Sequence, residues 1–332
     1  MKRPIALAAA ALITAATLSA CTPAPAPTSS GMTDDEILAL PKVELVVPVN
    51  TSPYWDEVKR GAFAAGKDLK VNIFFNGPDD PADSAGYLKL LRAAMNHKPA
   101  GIGVASQTAS AATIPDVLKP AADAKIQIVA VGSSITGYDG AIATVMSNSQ
   151  WLGENAAKQL GVLVKSKGSV AVLTNGSDPA TKVRADAFSA YVKKSLPNMK
   201  VVTVADGGQK RADTKKAAQQ VLTDNPKLVG FFGTDAVTTL GIADALKDAK
   251  KATAKVVGVD ADPDEVALVK DGTIAGAFAQ NAFNIGYQTV RLIVDASNGT
   301  MPKDKTVFSE VVWYTKANMK DPAVVQILGA TP

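Results

Sequence analysis

Short apolar runs alternate with amphipathic stretches from Val43 onward. Strand-like runs fall at 43–49, 71–75, 101–105, 127–131 and 141–146, with helix-period segments at 55–67, 87–95 and 114–124 between them. After Ser149 the rhythm begins afresh. Helices are predicted over 152–164, 182–195, 215–224 and 237–248, and strands over 169–173, 201–205 and 228–232. The stretch 255–290 then places a β-branched strand at 256–259 ending in Asp260, a helix at 265–270 stopped by Gly272, and a strand at 274–279 running into Gln280. Another helix starts near Phe283, and a tail over 306–314 has strand character.

This alternation predicts an α/β chain folded as two doubly wound lobes on parallel sheets, joined by a multi-strand hinge. Chain crossings are expected near 146–149, near Gln280 and near Lys305. The N-terminal lobe would hold 43–147 plus 281–305, and the C-terminal lobe 148–280 plus 306–332. Ligands of open α/β sheets bind beyond the carboxyl ends of the strands. Asp260 and Gln280 end two such strands. A carboxylate and an amide there can accept and donate hydrogen bonds to a small polyhydroxylated molecule.

The first residues, MKRPIALAAAALITAATLSAC, combine a basic start, an apolar run and small residues before Cys21. The run is too short for a comfortable membrane span. Leu18, Ser19, Ala20 and Cys21 resemble a bacterial lipobox, which makes 1–20 a lipoprotein signal peptide and Cys21 the lipidated first residue of the mature chain. The alternative is an ordinary secretory peptide with a chance cysteine. Cys21 is the only cysteine, so no internal disulfide can form. Residues 22–31, TPAPAPTSSG, read as a flexible tether within a linker over 21–42, and 33–36 match a capping box.

The composition, 47% hydrophobic and 20% charged, is that of a globular protein. Of the formal charge of +4, Lys2 and Arg3 belong to the signal segment, leaving 33 basic against 31 acidic residues. Such near-neutrality gives no case for nucleic-acid binding. One His and one Cys supply no metal cluster and no Ser-His-Asp arrangement. Gly101, Gly103 and Ser106 only echo a dinucleotide loop, because the third glycine is missing, so no cofactor is expected. His97 reads as an exposed residue at a helix end, and the lysines at 165–167 and 247–251 as solvated helix faces.

Several motifs, in order, resemble the type I periplasmic sugar-binding proteins of bacterial ABC importers, the ribose and galactose group. They are Asn50 to Trp55 with Gly61 and Ala65; Val183, Arg184 and Phe188; FFGTDAVTTLG over 231–241; Asp260 with Pro263; and Ala279 with Gln280. The resemblance implies a non-enzymatic protein, acting as a monomer, that captures a sugar or polyol by hinge closure. It further implies delivery to a membrane permease with ATPase subunits. It assigns Asn50, Tyr54, Trp55, Ser106 and Ser133 to the N-lobe side, Arg184, Asp235 and Asp260 to the C-lobe side, and Gln280 to the hinge. Charged side chains would grip paired hydroxyls while aromatic faces cover the sugar's CH surface.

The chain departs from the family pattern at Ser133 and Ser134, where sugar binders often carry Asp or Asp-Arg. Gln209, Lys210 and Arg211 stand where a C-lobe aromatic is common, and Gln280, Asn281, Ala282 replace Gln-x-Pro. Plainer readings exist for each residue. Arg184 could be an exposed salt-bridging arginine, Asp260 and Asp235 could cap the helices that follow them, and Tyr54 and Trp55 could be packing residues with one facing the cleft. Two cleft carboxylates, Asp235 and Asp260, leave a carbohydrate-active hydrolase as the alternative of another class. Nucleosides, furanose signals and amino acids are the rival ligands. A LacI-like repressor domain is argued against by the lipobox and by the lack of N-terminal DNA-binding helices.

Overall fold

The computed structural model describes residues 40–329 apart from Ser177 and Ala252. Cys21, the tether at 22–31 and the capping box at 33–36 lie outside the described residues. The chain first lays down β1 (Lys42–Val46), α1 (Pro53–Leu69), β2 (Asn72–Asn76), α2 (Ser84–Asn96), β3 (Gly101–Val104), α3 (Ile114–Leu118), β4 (Gln127–Val131) and β5 (Ala143–Ser147). It then crosses and builds α4 (Ser149–Leu163), β6 (Gly168–Thr174), α5 (Pro179–Ser195), β7 (Met199–Asp206), α6 (Arg211–Asp224) and β8 (Leu228–Gly233). The same lobe continues with α7 (Ala236–Asp248), β9 (Lys255–Val259), α8 (Pro263–Asp271) and β10 (Gly276–Gln280). The chain returns for α9 (Ala282–Ser297) and β11 (Thr306–Ser309), and ends on β12 (Val311–Tyr314) and α10 (Pro322–Leu328).

Two six-stranded sheets result. The N-lobe order is β11-β5-β4-β3-β1-β2, parallel throughout. The C-lobe order is β12-β10-β9-β8-β6-β7, parallel except that β12 runs antiparallel to β10 at the edge. Helices cover both faces of each sheet, so central strands are buried along their whole length, as in β3 (GIGV) and β10 (GAFAQ). Each lobe accordingly carries two hydrophobic clusters, one per sheet face.

Proline sets several boundaries. Pro53, Pro179 and Pro263 occupy the start of α1, α5 and α8, where the missing N–H is not needed, and these helices begin earlier than their apolar periodicity suggests. Pro48 follows the end of β1, which stops at Val46 rather than at 49. The helix expected over 114–124 is shorter, because Pro120 converts its second half into a 3₁₀ turn at Lys119–Ala121. Gly61 and Gly286 let α1 and α9 meet backbone to backbone: a Cβ on Gly286 would lie 1.9 Å from the Val58 carbonyl oxygen, and one on Gly61 equally close to that of Phe283.

The lobes are joined at three crossings, 147–149, 280–282 and 309–311. The third is a correction. Residues 306–309 belong to the N-lobe sheet, paired in parallel with β5, and the chain crosses at Glu310 rather than near Lys305. The 306–314 tail is therefore two strands, one in each lobe. At the first two crossings an asparagine turns the chain into a helix: Asn148 Oδ1 accepts from Trp151 N at 2.9 Å, and Asn281 Oδ1 accepts from Asn284 N at 2.9 Å.

Candidate functional site

The carboxyl ends of both sheets face each other across a cavity of about 540 Å³. Tyr54, Trp55, Ser106, Ser133, Arg184, Asp235, Asp260 and Gln280, eight of the sequence-derived candidates, line it together. Asn50 does not. It is exposed at the start of the loop before α1, and its backbone N–H is bonded to the Pro78 carbonyl at 3.0 Å. The strand that was to carry it to the mouth ends four residues earlier, at Val46.

The N-lobe wall is neutral and aromatic. Tyr54 and Trp55, in the first turn of α1, both border the cleft and meet edge to face, with ring centroids 4.9 Å apart and planes at 84°. Trp55 lies over the turn after β4, where Gly132 has φ of 77° and its absent Cβ leaves 3.8 Å to the indole. Burial, and then the charge of Asp260 across the cleft, pushes the Tyr54 phenol well above its usual range. Ser106 and Ser133 follow β3 and β4. The Ser106 hydroxyl is buried and has no protein partner.

Charge is concentrated on the C-lobe wall. Arg184, only 5% exposed, donates through Nη1 to the Thr234 carbonyl at 2.8 Å and through Nη2 to Gln280 Oε1 at 3.0 Å. Its Nε has no protein partner, and among the described residues no carboxylate oxygen lies within ion-pair distance of the guanidinium. The exposed salt-bridging reading of Arg184 is thus corrected: the side chain is a buried strut between β8, the hinge and the cleft. Gln280 in turn donates a short hydrogen bond to Asp260 Oδ1, while the Ala236 N–H donates to Asp260 Oδ2 at 3.0 Å.

Asp260 therefore does not cap the helix that follows it. That position belongs to Asp262, whose carboxylate accepts from Asp264 N at 2.9 Å, and Asp260 instead serves the first N–H of α7. Asp235 does cap α7, in a reciprocal capping box with Thr238, and its second oxygen accepts from Asn175 Nδ2 at 3.3 Å. Asp178 caps α5 by accepting from Ala180 N at 2.9 Å. These three carboxylates open toward the cleft but are otherwise enclosed by protein. Desolvation raises all three pKa values, with Arg184 opposing the shift.

Sequence reasoning missed part of the lining. Asp178 and Asn175 sit in the loop before α5, and Asp-Pro there reads as an ordinary helix start. Phe283, on α9 just past the hinge, supplies an aromatic surface where the 209–211 segment has none. Gln209 does reach the cleft, but Arg211 is engaged elsewhere, paired with Asp244 at 2.7 Å and Asp264 at 2.8 Å. Ile327 and Leu328 of α10 also line the cavity. His97 is exposed as expected, yet its Nδ1 lies 2.7 Å from the buried carboxylate of Glu44, far from the cleft.

Protein donors already occupy both oxygens of Asp260 and both of Asp235. A carboxylate has about four acceptor sites, so these bonds fix the orientation of both groups and still leave lone pairs for a ligand's hydroxyls on the cleft side.

Residues 43–301 match the periplasmic binding protein domain family, and the chain belongs to that family. It is 24% identical over 287 residues to the D-allose-binding periplasmic protein of Escherichia coli K12, covering 82% of this chain and 91% of that protein. It is 25% identical over 258 residues to the ribose import binding protein of Salmonella typhimurium, covering 77% and 84%. A carbohydrate transporter solute binding protein from Agrobacterium radiobacter, solved with D-arabinose, superposes with a TM-score of 0.80 at 26% identity, over 88% of this chain and 99% of that one. An ABC transporter solute binding protein from Agrobacterium vitis, bound to α-D-tagatopyranose, gives 0.78 at 27% identity, over 86% and 98%. The curated relatives and solved neighbours it matches are named as sugar-binding or carbohydrate-transport binding proteins.

Proposed function

We infer that the protein is the solute receptor of an ABC importer, capturing a monosaccharide-sized sugar or polyol by closure of its two lobes and passing it to a membrane permease. One observation carries this reading: the cleft sets aromatic faces on one side against a carboxylate, amide and guanidinium network on the other. A sugar ring presents an apolar CH face and a rim of hydroxyls, so it matches both walls at once. The names of relatives that bind allose, ribose, arabinose or tagatose support the same ligand class. Asn175, Asp178, Arg184, Asp235, Asp260 and Gln280 would take the hydroxyls, with Ser106 and Ser133 completing the N-lobe side and Tyr54, Trp55 and Phe283 covering the ring.

The ligand would settle on the C-lobe network first, because that surface is already organised by its own hydrogen bonds. Contacts added by the N-lobe on closing then give the closed form its higher affinity, and this difference shifts the open–closed equilibrium. The lobes would turn about the three crossings. Lipid on Cys21, with the linker over 21–42, would hold the monomeric receptor near the permease and raise its effective concentration there.

The test is a thermal-shift screen of residues 22–332 against aldoses, ketoses, polyols, nucleosides and amino acids. A ligand at a hundredfold excess over its Kd should stabilise the fold by about 2.7 kcal/mol and raise the midpoint by several degrees. A hit among sugars supports the reading. Cooperative melting with silence from every sugar, and a response to nucleosides or amino acids instead, would overturn it.

A further inference from the structure

The last element, α10, lies beyond the residues that match the family, which end at 301, and the sequence pattern does not announce it. It is nevertheless fixed firmly. Val324 is 4% exposed in the C-lobe core, and Met319, Ile327 and Leu328 pack against the same cluster. From that base the helix runs to the mouth of the cleft, where Ile327 and Leu328 become part of its lining. The helix stops at Gly329, with φ of 61°. At this tip a Cβ, which glycine lacks, would lie 3.5 Å from Glu57 Oε1 and 3.6 Å from Arg60 Nη1, so the turn lies close to the Glu57–Arg60 ion pair of α1. That pair belongs to the opposite lobe. The ion pair thus lies near a helix C-terminus, whose partial negative charge favours its Arg60 end.

We propose that α10 is a specificity wall and interlobe latch: Ile327 and Leu328 close one end of the cleft, and the Gly329 turn rests on Glu57–Arg60 when the lobes are shut. The wall offers no hydrogen-bond donor or acceptor from its side chains, so it selects by size and rejects polar extensions that would lose water without finding a partner. The latch links the lobes through a turn and two side chains rather than through the chain crossings, and opening would separate the turn from the pair. It therefore adds to the closed state independently of ligand and slows ligand escape. The size-selection half rests on the sugar-receptor reading; the latch half does not.

Two measurements on residues 22–332, which contain every element described, test it. Without ligand, small-angle scattering compares the wild-type protein, Arg60→Ala and Glu57→Ala, with Arg92→Ala on α2 as an exposed control. The latch predicts a larger radius of gyration for the first two variants and no change for the control. With ligand, titration calorimetry and stopped-flow follow D-arabinose, D-tagatose, D-allose and the methyl glycosides of each. Arg60→Ala should release the bound sugar about fivefold faster, and the Ile327→Ala/Leu328→Ala double variant should accept glycosides that the wild type excludes. If no sugar binds the wild type, the receptor reading fails and scattering alone decides the latch. If sugars bind, but the variants neither open further nor broaden in specificity while still melting cooperatively, the inference is overturned.

Discussion

Asp260 sits in a backbone conformation that residues with a Cβ rarely adopt, with φ of 98°. Such a residue costs about 1–3 kcal/mol unless its surroundings over-determine it. Here they do: its N–H is bonded to the Phe278 carbonyl, its carbonyl accepts from Tyr314 Oη at 3.0 Å, and both carboxylate oxygens are taken. Asp260→Asn keeps the size but removes the charge and turns an amide NH2 toward one of the two donors bonded there, so affinity for the identified sugar should fall about 10–100-fold, the range of a charge-assisted hydrogen bond. Titration calorimetry reads this directly, and an unchanged Kd would remove Asp260 from the site. Glu265 offers a second case. It is fully buried on α8 with neither oxygen in a hydrogen bond, beside Gly258 and the Thr239 hydroxyl, which is committed to the Asp235 carbonyl. Burial raises its pKa well above 4.5. Because the folded value exceeds the unfolded one, its contribution to stability is fully present below about pH 4.5 and is lost as pH rises toward the folded value. Glu265→Gln should therefore be more stable than wild type by about 1–3 kcal/mol at pH 8, with the gap closing near pH 4, as followed by denaturant melts. A gap that is constant with pH would contradict the assignment. Asp260, Arg184 and Gln280 were legible because each ends a strand or marks a motif. Asp178 was not, since a helix-capping Asp before Pro has the same local signature whether or not it also faces a ligand.

Packing of elements accounts for how much of the architecture the pattern revealed. Strands buried on both faces leave continuous β-branched runs, so every strand of the N-lobe sheet through β5 could be located to within a few residues. The 306–314 tail could not be divided, because β11 and β12 are separated by Glu310 alone. PAVVQIL, the whole of α10, is too short to display a helical period. The α1–α9 contact was hidden for another reason: glycine carries no apolar signal, yet Gly61 and Gly286 are what allow the helices to touch. Gly286→Ala puts its methyl carbon 1.9 Å from the Val58 carbonyl oxygen and 2.9 Å from Ala62 N, both backbone atoms that cannot rotate away. The helices must separate, at a cost of about 1–3 kcal/mol. Urea melts should show the lower midpoint, and a neutral substitution would mean that the helices are less closely apposed than the geometry gives.

The molecule as a whole divides its labour between lobes. In the C-lobe, Arg184, Gln280 and Asp260 are already joined to one another by hydrogen bonds, whereas the N-lobe contributes aromatic faces and a buried Ser106 hydroxyl with no protein partner. Gln280 is the last residue before a crossing, so the network ties the cleft directly to a hinge strand. The three raised carboxylate pKa values add a pH signature. Acid protonates these groups in the unliganded protein at higher pH than ordinary aspartates, so sugar affinity should fall as pH is lowered through that raised range and remain flat above it. Titration of the identified sugar at several pH values checks this, and tighter binding in acid would contradict it. The most direct test of the central claim is isothermal titration of the leading sugar from the thermal screen into the wild-type protein and into Arg184→Lys, which keeps the charge but not the planar fork. The account predicts one saturable site per chain in the wild type and a loss of at least tenfold in the variant. Equal binding by a cooperatively melting variant, or no saturable sugar binding by the wild type, would contradict it.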